Sequence, residues 1–188
     1  KDIFFKSAPS RQMLRDMFRD FATQEVAPRA EHCDRQEKPP RESLAKAAGL
    51  DLLGLLLPEQ HGGMNAGWLV YGLLMQELGR ACLSTAVAVN VHTATEIMLL
   101  ASTGDALKQE LLPLLAAGHV IGAYAIAEPD AGADLDDIAC TAQPVADGWS
   151  LNGRKSFVVN ADSADLIVVA ARETPAALAL YAIDHASP

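Results

Sequence analysis

The spacing of apolar positions changes once along this chain. In the first part Leu14, Met17, Phe18 and Phe21 recur at three- and four-residue intervals, which predicts a helix with one apolar face. Pro28 is expected to stop it, because proline removes a backbone donor and crowds the preceding turn. Pro39 and Pro40 precede a short helix expected from Glu42 to Ala48, with Gly49 suited to its C-terminal cap. Leu50 to Leu57 is very apolar and runs into a loop from Pro58 to Gly63. A third helix is expected from about Trp68 to Arg80, and a fourth from a Ser84 or Thr85 cap to about Leu100. Ala86 to Val91 is nearly all apolar, which predicts burial on several sides. A fifth helix is expected from Asp105 to Ala117, kinked at Pro113 and ended by Gly118.

Beyond Gly118 the pattern shortens. His119 to Ala127 is rich in small and β-compatible residues. Asp147-Gly148 and Asn152-Gly153 are dipeptides of the hairpin type, and Phe157 to Asn160, Leu166 to Ala171 and Leu178 to Ile183 read as strands. Helices succeeded by a run of strands give an α+β class: an all-α N-terminal domain over residues 1–118, then an incomplete antiparallel β-domain over 119–188. A sheet of about five strands that stops at Pro188 is expected to have open edges, covered by further chain or by another subunit.

The 188 residues carry a formal net charge of -9, with 50% hydrophobic and 21% charged residues. That balance suits a globular protein and argues against nucleic acid or an anionic membrane surface as partner. No apolar run is expected to span a bilayer. Lys1 to Lys6 hold no apolar segment of signal-peptide length and no initiator Met. Cys33, Cys82 and Cys140 are far apart and form no CxxC pair, so reduced thiols in a cytoplasmic protein are expected. The five histidines are equally scattered, and no metal site is expected. There is no GxGxxG and no GxxxxGK[ST], so neither a Rossmann nor a P-loop site is supported.

Two segments carry the candidate chemistry. Tyr124, Ala125, Ile126 and Ala127 form a short apolar run that enters a Pro/Gly loop, Glu128 to Asp134. Downstream, Trp149 to Asn160 offers Gly153, Lys155, Phe157, Val158 and Val159. Segments of this kind can form two walls of one flat pocket. Read without further context, Tyr124 to Ala127 is a buried strand, the three carboxylates are a solvated acidic turn with local Asx caps, and Phe157 is a core residue.

Together these segments closely resemble the flavin-binding segments of the acyl-CoA dehydrogenase family. The resemblance runs along the chain in order: Leu14 to Phe21, Gly54 to Gly63, Glu77 to Arg80, Lys108 to Pro113, Glu128 to Asp134, Leu151 to Lys155 and Ala164 to Arg172. It implies a helical domain, a middle β-domain and a C-terminal helical bundle that this chain lacks. It implies FAD as cofactor, with Tyr124, Ala125, Ile126, Ala127, Gly132, Ala133, Phe157, Val158 and Val159 as its contacts and Ala133 beside the substrate. The implied reaction is α,β-dehydrogenation of an acyl-CoA thioester, in which a carboxylate takes the α-proton and hydride passes to the flavin. Electrons then go to an electron-transfer flavoprotein, and subunits of like fold associate as homo- or hetero-oligomers. Gln76 and Glu77 fall on a helix that lines the acyl pocket in the family; read singly, each is a solvent-facing or helix-packing residue.

Three positions depart from the family pattern. Ala127, Ala133 and Val159 stand where a hydroxyl-bearing side chain is usual. Each missing hydrogen bond is worth about 0.5–1.5 kcal/mol, which weakens flavin binding without abolishing it. The family's catalytic base lies in the C-terminal domain, so no residue here is assigned that role, and the chain alone is expected to be inactive. Two alternatives stand beside the dehydrogenase reading. One is a non-catalytic partner subunit of a heteromeric enzyme. The other is a flavin monooxygenase or nitroalkane-oxidase-like enzyme on the same fold.

Overall fold

The computed structural model describes residues 8–101 and 104–184; the readings made for Lys1 to Lys6 and for Pro188 fall outside them. Among the described residues six α-helices come first: α1 (Ala8–Phe21), α2 (Ala27–Arg35), α3 (Arg41–Ala48), α4 (Trp68–Ala81), α5 (Leu83–Ala101) and α6 (Asp105–Ala116). Five strands come next: β1 (Gly122–Ala125), β2 (Thr141–Val145), β3 (Gly148–Asn152), β4 (Leu166–Thr174) and β5 (Ala177–Asp184). The α+β class with segregated halves is therefore the one the chain adopts.

Pro28 does not stop the first helix. The path continues through a π-turn, Ala22–Val26, in which the Ala27 N–H reaches back to the Ala22 carbonyl. Pro28 then sits in the first turn of α2. Leu14, Phe18 and Phe21 are buried as expected, but Met17 lies at the edge of the apolar stripe and is exposed. The apolar run after α3 folds as consecutive turns that bury Leu52, Leu53, Leu55 and Leu57. It ends in a 3-10 turn, Glu59–His61, closed by Gly62 at φ 81°.

Helix α5 holds the interior together. It packs on α4, α6 and β1, and its buried residues cover more than half of its circumference, leaving Leu83, Val87 and Asn90 exposed. By length and composition its 19 residues are apolar enough to cross a membrane, contrary to the expectation of no such run. The reason is structural: 56% of that stretch is buried inside the protein, as in the core helix of a globular fold, and the buried positions include Thr85, His92, Thr93, Thr95 and Glu96.

The sheet is mixed, where an antiparallel one was expected. β4 pairs along one edge with β5, antiparallel from Leu166↔Asp184 to Thr174↔Ala177. On its other edge it pairs parallel with β1, Gly122↔Leu166 through Ala125↔Val169, and parallel with β2 at Thr141↔Arg172. β2 and β3 form the hairpin predicted at Asp147-Gly148, with Gly148 at φ 140°. Leu99, Leu112 and Leu115 pack against Leu166 and Val168, and Val91 against Ala123 and Ala164. Hydrophobic contact thus seats β1 and β4 on α5 and α6.

The strand predicted from Phe157 to Asn160 and the second hairpin at Asn152-Gly153 do not form. β3 ends at Asn152, and the chain beyond it is irregular, with positive φ at Phe157 (55°) and Asn160 (67°). Its polar groups bond to distant parts of the chain instead of to a neighbouring strand.

Candidate functional site

β1 delivers Tyr124 and Ala125 to the edge of the helical core, and the chain leaves it through Ile126 and Ala127. Ala125 is buried; Tyr124, Ile126 and Ala127 are half-buried. Glu128 then closes a tight turn, its N–H donating to the Ala131 carbonyl at 2.8 Å and its carbonyl accepting from the Ala131 N–H at 3.3 Å. Gly132 and Ala133 sit beyond this turn, exposed. Among the described residues, its chain neighbours aside, nothing lies within 4 Å of the position a side chain on Gly132 would take.

The second segment is brought against the first by its own polar groups. The Ser156 N–H donates to the Ala127 carbonyl at 2.9 Å. The Lys155 ammonium donates to the Ile126 carbonyl at 3.0 Å and to Glu128 Oε1 at 2.7 Å. Glu128 in turn accepts from the N–H groups of Ala139 at 2.8 Å and Cys140 at 2.9 Å. Its side chain is 7% exposed and that of Lys155 11%. Burial pushes the Glu128 carboxyl up, but the ammonium and two amides outweigh it and hold the group below the usual carboxylate range. Glu128 is therefore a buried structural anion, not part of a solvated turn.

Of the other two loop carboxylates, Asp130 is exposed, and Asp134 Oδ1 accepts from the Asp136 N–H at 2.9 Å as a local cap. Arg172 on β4 holds the rest of the loop, donating to the carbonyls of Leu135, Asp136 and Ile138. Gly153 is required by contact: a Cβ there would lie 2.7 Å from Cys140.

Past Lys155 the segment presents Phe157, Val158 and Val159. Phe157 is not a core residue: it is 96% exposed, with a backbone φ of 55°. Val158 packs with Val91, Ala123 and Ala164. Val159 is partly exposed along an open groove of about 410 Å³ between Pro39, Pro40, Leu83, Val87 and Asp162. The nine residues named from the sequence thus fall on two adjoining stretches tied together by Lys155 and Ser156. Glu128, Lys155 and Gly153 hold those stretches and lie in the same motifs; the sequence suggests a solvated turn for Glu128 and a hairpin for Gly153, and no role for Lys155. Their opposite charges and the lone glycine were the only signals.

Glu77 has a helix-packing role. It is 2% exposed and accepts from Arg19 on α1 at 3.1 and 3.3 Å, while Gln76 faces outward.

Comparison with known proteins agrees with this architecture. The family models of the acyl-CoA dehydrogenase N-terminal and middle domains match residues 8–119 and 123–188. The chain belongs to the acyl-CoA dehydrogenase family. It is 33% identical over 169 residues to a probable acyl-CoA dehydrogenase of Bacillus subtilis, covering 89% of this chain and 44% of that protein. Among solved structures, a glutaryl-coenzyme A dehydrogenase in complex with glutaryl-CoA superposes with a TM-score of 0.88 at 29% identity, covering 95% of this chain and 47% of that one. PigA with FAD and proline superposes with a TM-score of 0.87 at 28% identity, covering 98% and 50%. The chain thus spans about half the length of the relatives it matches.

Proposed function

We propose that this chain forms one side of an FAD site in an acyl-CoA dehydrogenase that desaturates an acyl-CoA thioester and passes electrons to an electron-transfer flavoprotein. The observation that carries the reading is the Lys155 bridge, which locks Ile126 to Glu128 against the segment that displays Phe157. The residues fit a flat aromatic group. An aromatic ring stands free on a fixed backbone, apolar Val158 and Val159 come directly after it, and the loop at Gly132 and Ala133 is open enough for a phosphate to approach its backbone.

On this reading Tyr124 to Ala127 and Phe157 to Val159 orient the ring, Gly132 and Ala133 lie along the phosphates, and Ala133 also borders the substrate. FAD, when bound, supplies the hydride acceptor. The base that removes the α-proton comes from polypeptide outside these residues, as does the opposite side of the pocket. Residues 1–118 and 119–188 act as two units joined through α5 and α6, and the isolated chain is inactive.

One observation favours a second reading. Ala127, Ala133 and Val159 place methyl and isopropyl groups where hydroxyls would bond flavin, which suits a non-catalytic subunit paired with a catalytic one. Anaerobic titration of the assembled flavoprotein with acyl-CoAs of different chain length separates the readings. Loss of the flavin's visible absorbance is the expected result. A protein that takes up no flavin belongs to the second reading, and one that keeps its colour with every acyl-CoA acts on another substrate class.

A further inference from the structure

We infer that Asn160 and His92 are positioning residues that set the separation of the two walls by gripping both sides of Gly122; the inference rests on the flavin reading for its functional meaning. Gly122 opens β1 two residues before Tyr124. Its carbonyl accepts from Asn160 Nδ2 at 3.3 Å, and the same amide donates to the Ala88 carbonyl on α5 at 3.0 Å. Its N–H donates to His92 Nδ1 at 3.1 Å. His92 Nε2 lies 3.2 Å from the Leu115 carbonyl on α6.

Asn160 and His92 together therefore join α5, α6, β1 and the second segment through Gly122. Asn160 directly succeeds Val159, the last residue of the second wall, so the grip fixes both walls against one helix. A Cβ on Gly122 would lie 2.9 Å from Thr95, so the strand start rests directly on α5.

The chemistry selects these side chains. Asn160 is 7% exposed with φ at 67°, a conformation that Asn tolerates and most residues do not. Its amide carries two N–H donors, which a buried pair of carbonyls can use at once. Its carbonyl accepts from the N–H groups of Ser163 at 2.8 Å and Ala164 at 2.7 Å, fixing the turn that aims the side chain inward. His92 is fully buried, and since Nδ1 accepts from Gly122, the ring is the neutral tautomer with its proton on Nε2. Glu96 Oε1, 3.5 Å from Nε2, favours that same placement of the proton.

Backbone amide exchange in this chain tests the inference with Asn160→Asp, which keeps the shape and removes both donors, and Asn160→Gly, which keeps the backbone freedom and removes the amide. Exchange at Gly122 and Ser156 should quicken about tenfold relative to amides in α1 and α4, the loss expected for one hydrogen bond. Ring nitrogen shifts of His92 in the unsubstituted chain should report an Nε2–H tautomer. A uniform change across all amides, no change at Gly122 and Ser156, or an Nδ1–H ring would each overturn it. If the assembled protein takes up FAD, Asn160→Gly should weaken that binding about tenfold, the same single-bond loss. If it takes up none, the flavin reading fails while the exchange result still decides the grip.

Discussion

Lys155 and Glu128 meet at 2.7 Å across the base of the candidate site, and the same ammonium also holds the Ile126 carbonyl. Removing one member of a buried ion pair leaves an uncompensated charge, which costs about 3 kcal/mol. Lys155→Met should therefore destabilise the chain more than the double change Lys155→Met with Glu128→Gln, which removes both charges. Urea midpoints at constant slope check the order; equal loss in both would show that the pair is not coupled.

Acidity gives a second handle, because Glu128 and Glu96 are shifted in opposite directions. The Glu128 carboxyl is held low in the folded chain, so its contribution is present above the ordinary carboxylate range and is lost as pH falls through the folded value. Glu96 is fully buried, and burial pushes its carboxyl up against the opposing hydrogen bond from the His92 ring 3.5 Å away. Stability associated with Glu96 is present at low pH and is lost as pH rises through its raised value. Glu128→Gln should flatten the acid limb of a stability-against-pH curve, and Glu96→Gln the limb that falls as pH rises. The reverse assignment would refute both environments.

Glu77→Gln distinguishes packing from binding. Replacing the buried carboxylate weakens its bonds to Arg19, a loss of about 1.5–3 kcal/mol for hydrogen bonds to a charged group. In a domain of this size that corresponds to a melting shift of roughly 3–12 °C. Flavin uptake by the assembled protein should be unchanged. A protein of normal stability with altered substrate response would return Glu77 to the pocket.

Much of the fold was legible because it is local. Three- and four-residue spacing marks Leu14, Phe18 and Phe21, the chain past α6 turns on Gly118 at φ 67°, and the Asp147-Gly148 turn makes its hairpin. The illegible part depends on long-range bonds. Phe157 to Asn160 has strand-like composition, yet Lys155, Ser156 and Asn160 bond to Ile126, Ala127 and Ala88, and those partners bend the backbone out of any strand. Pro28 reads as a stop, but a π-turn absorbs it. Sequence supplied the charges of Glu128 and Lys155 without their pairing, and it supplied His92 without the neighbours that decide its tautomer.

Gly153→Ala should act on the site through packing. Its new Cβ would lie 2.7 Å from the backbone and side chain of Cys140, so the segment carrying Phe157 must shift, at about 1–3 kcal/mol. Phe157→Ala, on an exposed ring, should change stability by less than about 0.5 kcal/mol. Thermal denaturation of the two variants side by side checks the contrast; equal melting temperatures would mean that the Gly153 contact relaxes freely.

The most direct test of the flavin wall maps the backbone amide shifts of this chain during titration with FAD, a measurement that registers even weak binding. Perturbations gathered on Ala125 to Ala127, Gly132 to Ala133 and Phe157 to Val159, and reduced by Phe157→Ala, are the predicted result. Perturbations centred elsewhere, or none at millimolar FAD, would contradict it.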